Sequence, residues 1–142
     1  DKSTRFDLLD DFIPSNTAES WQLSNPPILS MAALWSSLNI FENAGMNQIT
    51  AKSIKMTSYL DTLLNKIKNL VIITPSETEK RGAQLSVRIK KFDKKIYSNL
   101  LESGYICDYR EPDILRIAPA PLYNTFEDVY NFSIFLNSLI ND

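Results

Sequence analysis

Between residues 28 and 45 the apolar residues Ile28, Met31, Trp35, Leu38 and Phe41 recur at steps of three and four, which draws one face of a helix. Pro27 suits a first helical turn, and Gly45 suits a left-handed cap at the end. The next segment, "MNQITAKSIKMTSYLDTLLNKIKN", sets Ile49, Met56, Leu60, Leu63 and Ile67 on one face, with lysines 52, 55, 66 and 68 mostly on the other. The period then shortens. "LVIIT" (70–74) is a β-branched run stopped by Pro75, and "QLSVRI" (84–89) alternates Leu85, Val87 and Ile89 against Ser86 and Arg88, as a half-buried strand does. "DKKIYSNLLESG" (93–104) returns to helix, with Asp93 as N-cap and Gly104 as stop. "YICDY" (105–109) and "ILRIA" (114–118) read as strands joined by the turn "REPD". Thr125 and Asp128 have the spacing of a capping box and open a last helix with Val129, Phe132, Leu136 and Leu139 inward.

The resulting order is α-α-β-β-α-β-β-α. Short connections favour antiparallel pairing, and helices with one apolar face need a sheet to cover. The expected fold is therefore α+β, a small antiparallel-rich sheet backed by helices on one face. Leu115, Ile117, Phe132 and Leu136 are expected between the layers. Residues 1–27 contain three prolines and no clear period, and are expected to be irregular and to pack on another body; residues 28–142 form the expected domain.

Composition narrows the function. The 142 residues carry 44% hydrophobic and 23% charged residues with a net charge of −2, a globular balance without a basic footprint for nucleic acid or an anionic membrane. The chain has no histidine, so neither a Ser-His nor a Cys-His dyad can be built from it, and no imidazole metal site. Cys107 is the single cysteine, which excludes an internal disulfide and points to a reducing, cytoplasmic setting. No apolar run reaches the length of a membrane span, and no signal-peptide pattern opens the chain. The first residue is Asp1, which suggests a piece of a longer protein.

Few residues offer chemistry. Asp10, Asp11, Asp108 and Glu111 read as solvated loop charges, and Cys107 as a small strand residue kept unreactive by apolar burial. Three glycines supply no phosphate loop. Arg116 stands out, because alternation puts Leu115 and Ile117 on one sheet face and Arg116 on the other. A guanidinium fork there suits a carboxylate; the plainer alternative is a surface arginine paired with an acidic neighbour. Asn25, in "SNPPI", precedes a helix N-terminus, where an amide and free N–H groups can meet an anion. The plainer alternative is an ordinary asparagine at a helix entry.

"TRF" (4–6), "WQLSNPPIL" (21–29), "AKSIKMTSYL" (51–60), "ITPSETEKRGAQLS" (73–86), "CDYREP" (107–112) and "RIAPAPLYNTFEDVY" (116–130) occur in this order. Together they resemble the C-terminal part of the kynureninase family, over essentially the whole chain. The resemblance implies pyridoxal-phosphate enzymes of the aspartate-aminotransferase fold, which act as homodimers. They hydrolyse L-kynurenine or 3-hydroxykynurenine to anthranilate or 3-hydroxyanthranilate and L-alanine, in tryptophan catabolism and NAD biosynthesis.

The same resemblance implies that Arg116 binds the substrate's α-carboxylate. It implies that Asn25 reaches the cofactor phosphate and the aryl end of the site from the partner subunit. The family's Schiff-base lysine lies upstream, so no catalytic residue is expected in this chain, which alone would be inactive and would lack its N-terminal large domain. Ala83 stands where relatives commonly have cysteine. Arg116 is expected to be unpaired with any internal carboxylate. Two alternatives remain: a cysteine desulfurase or selenocysteine lyase, which needs a mobile catalytic cysteine that a strand-bound Cys107 does not suit, and a stand-alone amino-acid-binding or dimerisation module.

Overall fold

The structure, a computed structural model, describes residues 6–141; Thr4 and Arg5 of the "TRF" block lie outside them. The elements are α1 (Ile28–Ala44), α2 (Met46–Leu64), β1 (Leu70–Ile72), β2 (Leu85–Ile89), α3 (Lys94–Glu102), β3 (Asp108–Arg110), β4 (Ile114–Ile117) and α4 (Phe126–Asn141), with single 3-10 turns at Ala18–Trp21 and Thr78–Lys80. This is the expected order. The chain divides into two compact units, Asp1–Ile40 and Phe41–Asp142, and the division falls inside α1.

The second unit is the α+β body. Its four strands are antiparallel throughout, in the order β1-β2-β4-β3. Val87 pairs with Ile72 on one side and Leu115 on the other, and Tyr109 pairs with Leu115, so one side-chain row runs across the sheet. Leu85, Val87, Ile89, Leu115 and Ile117 are all buried on that face. Helices α2, α3 and α4 close over it with Met56, Leu60, Leu64, Ile96, Leu100, Val129, Phe132 and Leu136. The four residues expected between the layers are there.

Local chemistry explains the helix ends. Asp93 accepts from the Lys95 amide at 2.9 Å, and so caps α3. Thr125 and Asp128 form a reciprocal box: the Thr125 amide donates to Asp128 Oδ2 at 2.8 Å, and the Asp128 amide donates to Thr125 Oγ1 at 3.0 Å. The bond from the Thr125 amide, and after it the Thr125 hydroxyl, hold the Asp128 carboxyl below the usual carboxylate range. Gly45 alone joins α1 to α2 at φ 77°, a left-handed backbone that glycine adopts without strain.

Some boundaries differ from the sequence pattern. Pro27 caps α1 from outside, its carbonyl accepting from the Met31 amide at 3.0 Å. β1 stops at Ile72, because Thr74 replaces a main-chain partner with its hydroxyl, accepting from the Ser86 amide at 2.9 Å. β3 begins at Asp108, after a stretch in which the Tyr105 amide is still bonded to Leu100 O of α3. Cys107 therefore precedes the strand.

In the first unit no residue of α1 is buried, and the apolar character of the helix runs all round it: Leu29, Leu34 and Ile40 are exposed along with Ile28, Met31, Trp35 and Leu38. A helix apolar on every side belongs in the interior of a larger body.

Candidate functional site

β4 sits between β2 and β3, and Arg116 lies on the face of the sheet away from α2, α3 and α4. Register places Ser86 opposite it on one side and Asp108 on the other. Gln84, just ahead of β2, completes the surroundings. Arg116 Nε and Nη2 donate to the single oxygen Gln84 Oε1 at 3.1 and 2.8 Å, and Nη1 donates to Asp108 Oδ2 at 2.8 Å. The expectation of an arginine without an internal carboxylate is thus corrected. The strand register, which alternation does not reveal, puts Asp108 directly across from it.

The same Asp108 oxygen accepts from Arg110 Nε at 3.0 Å. One carboxylate therefore faces two guanidinium groups. In the next row of this face Arg88 is paired with Asp113 at 3.3 Å. Three arginines meet two aspartates across the sheet, so the face keeps a positive excess suited to an anion. Arg116 has five N–H donors, of which three are engaged, and its side chain remains 36% exposed. Two donors are left for an incoming acceptor.

Beyond β4 the chain is tied down. The Ala120 amide donates to Asn124 Oδ1 at 2.8 Å, and Lys52 Nζ donates to the carbonyls of Pro121 and Asn124 at 2.7 and 2.9 Å. Lys52, one of the lysines set mostly opposite the apolar face of α2, is half-buried and anchors the "APAPLYN" segment to that helix. Asn25 belongs to the other unit, where it is exposed in a bend ahead of α1.

Of the residues read as solvated loop charges, Glu111 fits, pairing at the surface with Lys94 at 2.9 Å, which lowers the Glu111 pKa and raises that of Lys94. Asp108 does not fit: it is a strand residue bonded to two arginines. Gln84 was not singled out by the sequence at all. The usable signal was its place one step before an alternating strand, on the same side as Ser86. Cys107 is half-buried; burial, and after it the charge of Asp108, push its thiol up to about 11. It lines a small pocket of about 140 Å³ with Leu60, Tyr105, Pro119 and Phe132, and a second pocket of about 420 Å³ lies beside Ile49, Ile54 and Arg81. Neither is lined by Arg116. Among the described residues no group of His, Cys, Asp and Glu could hold a metal ion, and no helix is long and apolar enough to cross a membrane.

In fold the chain is similar to a C-DES variant solved with glycine covalently linked to its PLP cofactor, at a TM-score of 0.68 and 14% identity over 84% of this chain and 31% of that one. The sequence relationship is narrower. The kynureninase C-terminal domain model matches residues 49–136, and the chain belongs to that family. It is 49% identical to a kynureninase of Koribacter versatilis and 48% identical to one of Myxococcus xanthus, in each case over 93% of this chain and 32% of the relative. A kynureninase of Coccidioides immitis is 47% identical over 93% of this chain and 30% of its own length. The chain thus spans about a third of the curated relatives that it matches.

Proposed function

We propose that this chain is the C-terminal part of a kynureninase. The complete protein hydrolyses L-kynurenine or 3-hydroxykynurenine to anthranilate or 3-hydroxyanthranilate and L-alanine, in the cytoplasm, as a homodimer that uses pyridoxal phosphate. Its place is tryptophan catabolism leading toward NAD. The carrying observation is family membership over residues 49–136, together with an arginine held on the sheet's open, electropositive face with two donors to spare. In this reading Arg116 grips the substrate's α-carboxylate through a planar fork, which fixes the amino acid's orientation. Asn25 contributes its amide to the cofactor phosphate and the aryl end of the site from the partner subunit.

The residues present do not make a cofactor holder by themselves. Lys52, the half-buried lysine of α2, is engaged by two backbone carbonyls, and Asn25 lies in a different unit from Arg116. The cofactor and its electron-sink chemistry belong with the large domain, and the isolated chain is inactive. The exposed apolar side chains of the first unit, among them Phe12, Trp21, Leu23 and Trp35, support a covering body of that kind. The desulfurase alternative loses ground, since a thiol at about 11 is not a ready nucleophile.

The test is steady-state kinetics of the full-length enzyme with Arg116→Ala and Arg116→Lys, beside thermal unfolding. Arg116→Ala should lower kcat/KM by about a hundredfold or more, equivalent to about 3 kcal/mol. Arg116→Lys should also be damaging, because an ammonium cannot make two parallel bonds. Near-normal kinetics in Arg116→Ala would overturn the reading.

A further inference from the structure

We propose that Gln84 is the positioning residue for Arg116, holding the guanidinium in the plane in which it receives a carboxylate; this rests on the reading of Arg116 given above. The geometry is specific. Two of the three donor nitrogens of Arg116, Nε and Nη2, converge on one oxygen of Gln84. A fork anchored through both nitrogens cannot rotate about its last bonds without breaking two hydrogen bonds, whereas the single contact from Nη1 to Asp108 is a pivot.

Gln84 is itself held. Its Nε2 lies 3.2 Å from Ser86 Oγ, and Ser86 is the register partner of Arg116 on β2. This fixes which end of the amide faces the arginine: guanidinium has donors only, so the oxygen must point to it and the nitrogen to the hydroxyl. The three residues close a ring from β2 to β4 and back, spanning 32 residues of sequence but one rung of the sheet.

A neutral amide also suits the task chemically. A carboxylate in its place would orient the guanidinium and cancel its charge together. The amide orients it and leaves the charge for the ligand. Asp108, shared with Arg110, is a partial counter-ion on the far side. The division of labour is a neutral holder on β2's side and a charged neighbour on β3's side.

The experiment uses the full-length, cofactor-loaded enzyme with Gln84→Met, which keeps side-chain length and loses the acceptor, and Gln84→Ala as a second variant. Inhibition constants are measured for L-alanine and for L-alaninamide, which lacks the carboxylate, in the wild type, each variant, Arg116→Ala and the double variant Gln84→Met/Arg116→Ala. Both Gln84 variants should raise the constant for L-alanine about tenfold and leave that for L-alaninamide within twofold. In the Arg116→Ala background Gln84→Met should add nothing. Equal weakening of both ligands, or a full additional loss in the double variant, would make Gln84 merely structural and overturn the proposal. A damaging Arg116→Ala beside a harmless Gln84→Met and Gln84→Ala would overturn the positioning role alone. A harmless Arg116→Ala would overturn the carboxylate reading beneath it.

Discussion

Arg116 Nη1 lies 2.8 Å from Asp108 Oδ2, across the pair of strands β3 and β4 and on the sheet face away from α2, α3 and α4. Any carboxylate that comes to this arginine meets another one already beside it. The side chains are 36% and 49% exposed, so water screens the pair and its own contribution to stability is about 0–1 kcal/mol.

Asp108→Asn is therefore expected to leave thermal unfolding almost unchanged, while removing the charge that competes with substrate. In the full-length enzyme KM should fall, by about two- to tenfold, a small electrostatic gain at a partly exposed site. Steady-state kinetics with unfolding curves provide the check. A rise in KM instead would mean that Asp108 serves to aim the arginine.

Asn25→Ala, in the full-length dimer, should weaken cofactor retention or shift the preference between kynurenine and 3-hydroxykynurenine. Loss of one polar contact is worth about 0.5–1.5 kcal/mol. Cofactor dissociation measured by absorbance, with kcat/KM for both substrates, decides it. If neither quantity moves, Asn25 has no role beyond leading the chain into α1.

Cys107 should resist alkylation near neutral pH, since burial keeps the thiol protonated up to about 11. An unfolded cysteine titrates near about 8.5. The folded state thus keeps a proton that the unfolded state gives up. The stabilising contribution is complete below the unfolded value and is lost as pH rises toward about 11. Denaturant unfolding from pH 8 to 11 should fall less steeply in Cys107→Ala than in the parent. Parallel slopes, or rapid reaction with iodoacetamide at pH 7.5, would contradict this.

Leu115→Ala removes a fully buried side chain from the centre of the sheet, where Val87 and Tyr109 flank it. The cavity should cost about 2–5 kcal/mol in denaturant unfolding. A loss under about 0.5 kcal/mol would be incompatible with the assigned faces of the sheet.

Periodicity, with its turn and cap signals, was enough to order the helices and strands and to select the buried faces of β2, β4 and α4. Leu85, Val87 and Ile89 alternate, Leu115 and Ile117 alternate, and Phe132 and Leu136 lie a helical turn apart; all are buried. The Thr125–Asp128 box was equally legible, because both partners lie within one turn. These features are local, since side-chain direction follows from backbone type within a few residues. Alternation likewise put Arg116 on the open face. It could not say what stands across from it. Gln84 and Asp108 reach Arg116 through the pairing of three strands, and Lys52 reaches the segment after β4 from a helix about 70 positions earlier. The apolar residues of α1 were also plain in sequence, yet within this chain none of them is buried. A hydrophobic pattern states that a face is to be covered, and register and packing, which join residues distant in sequence, decide by what.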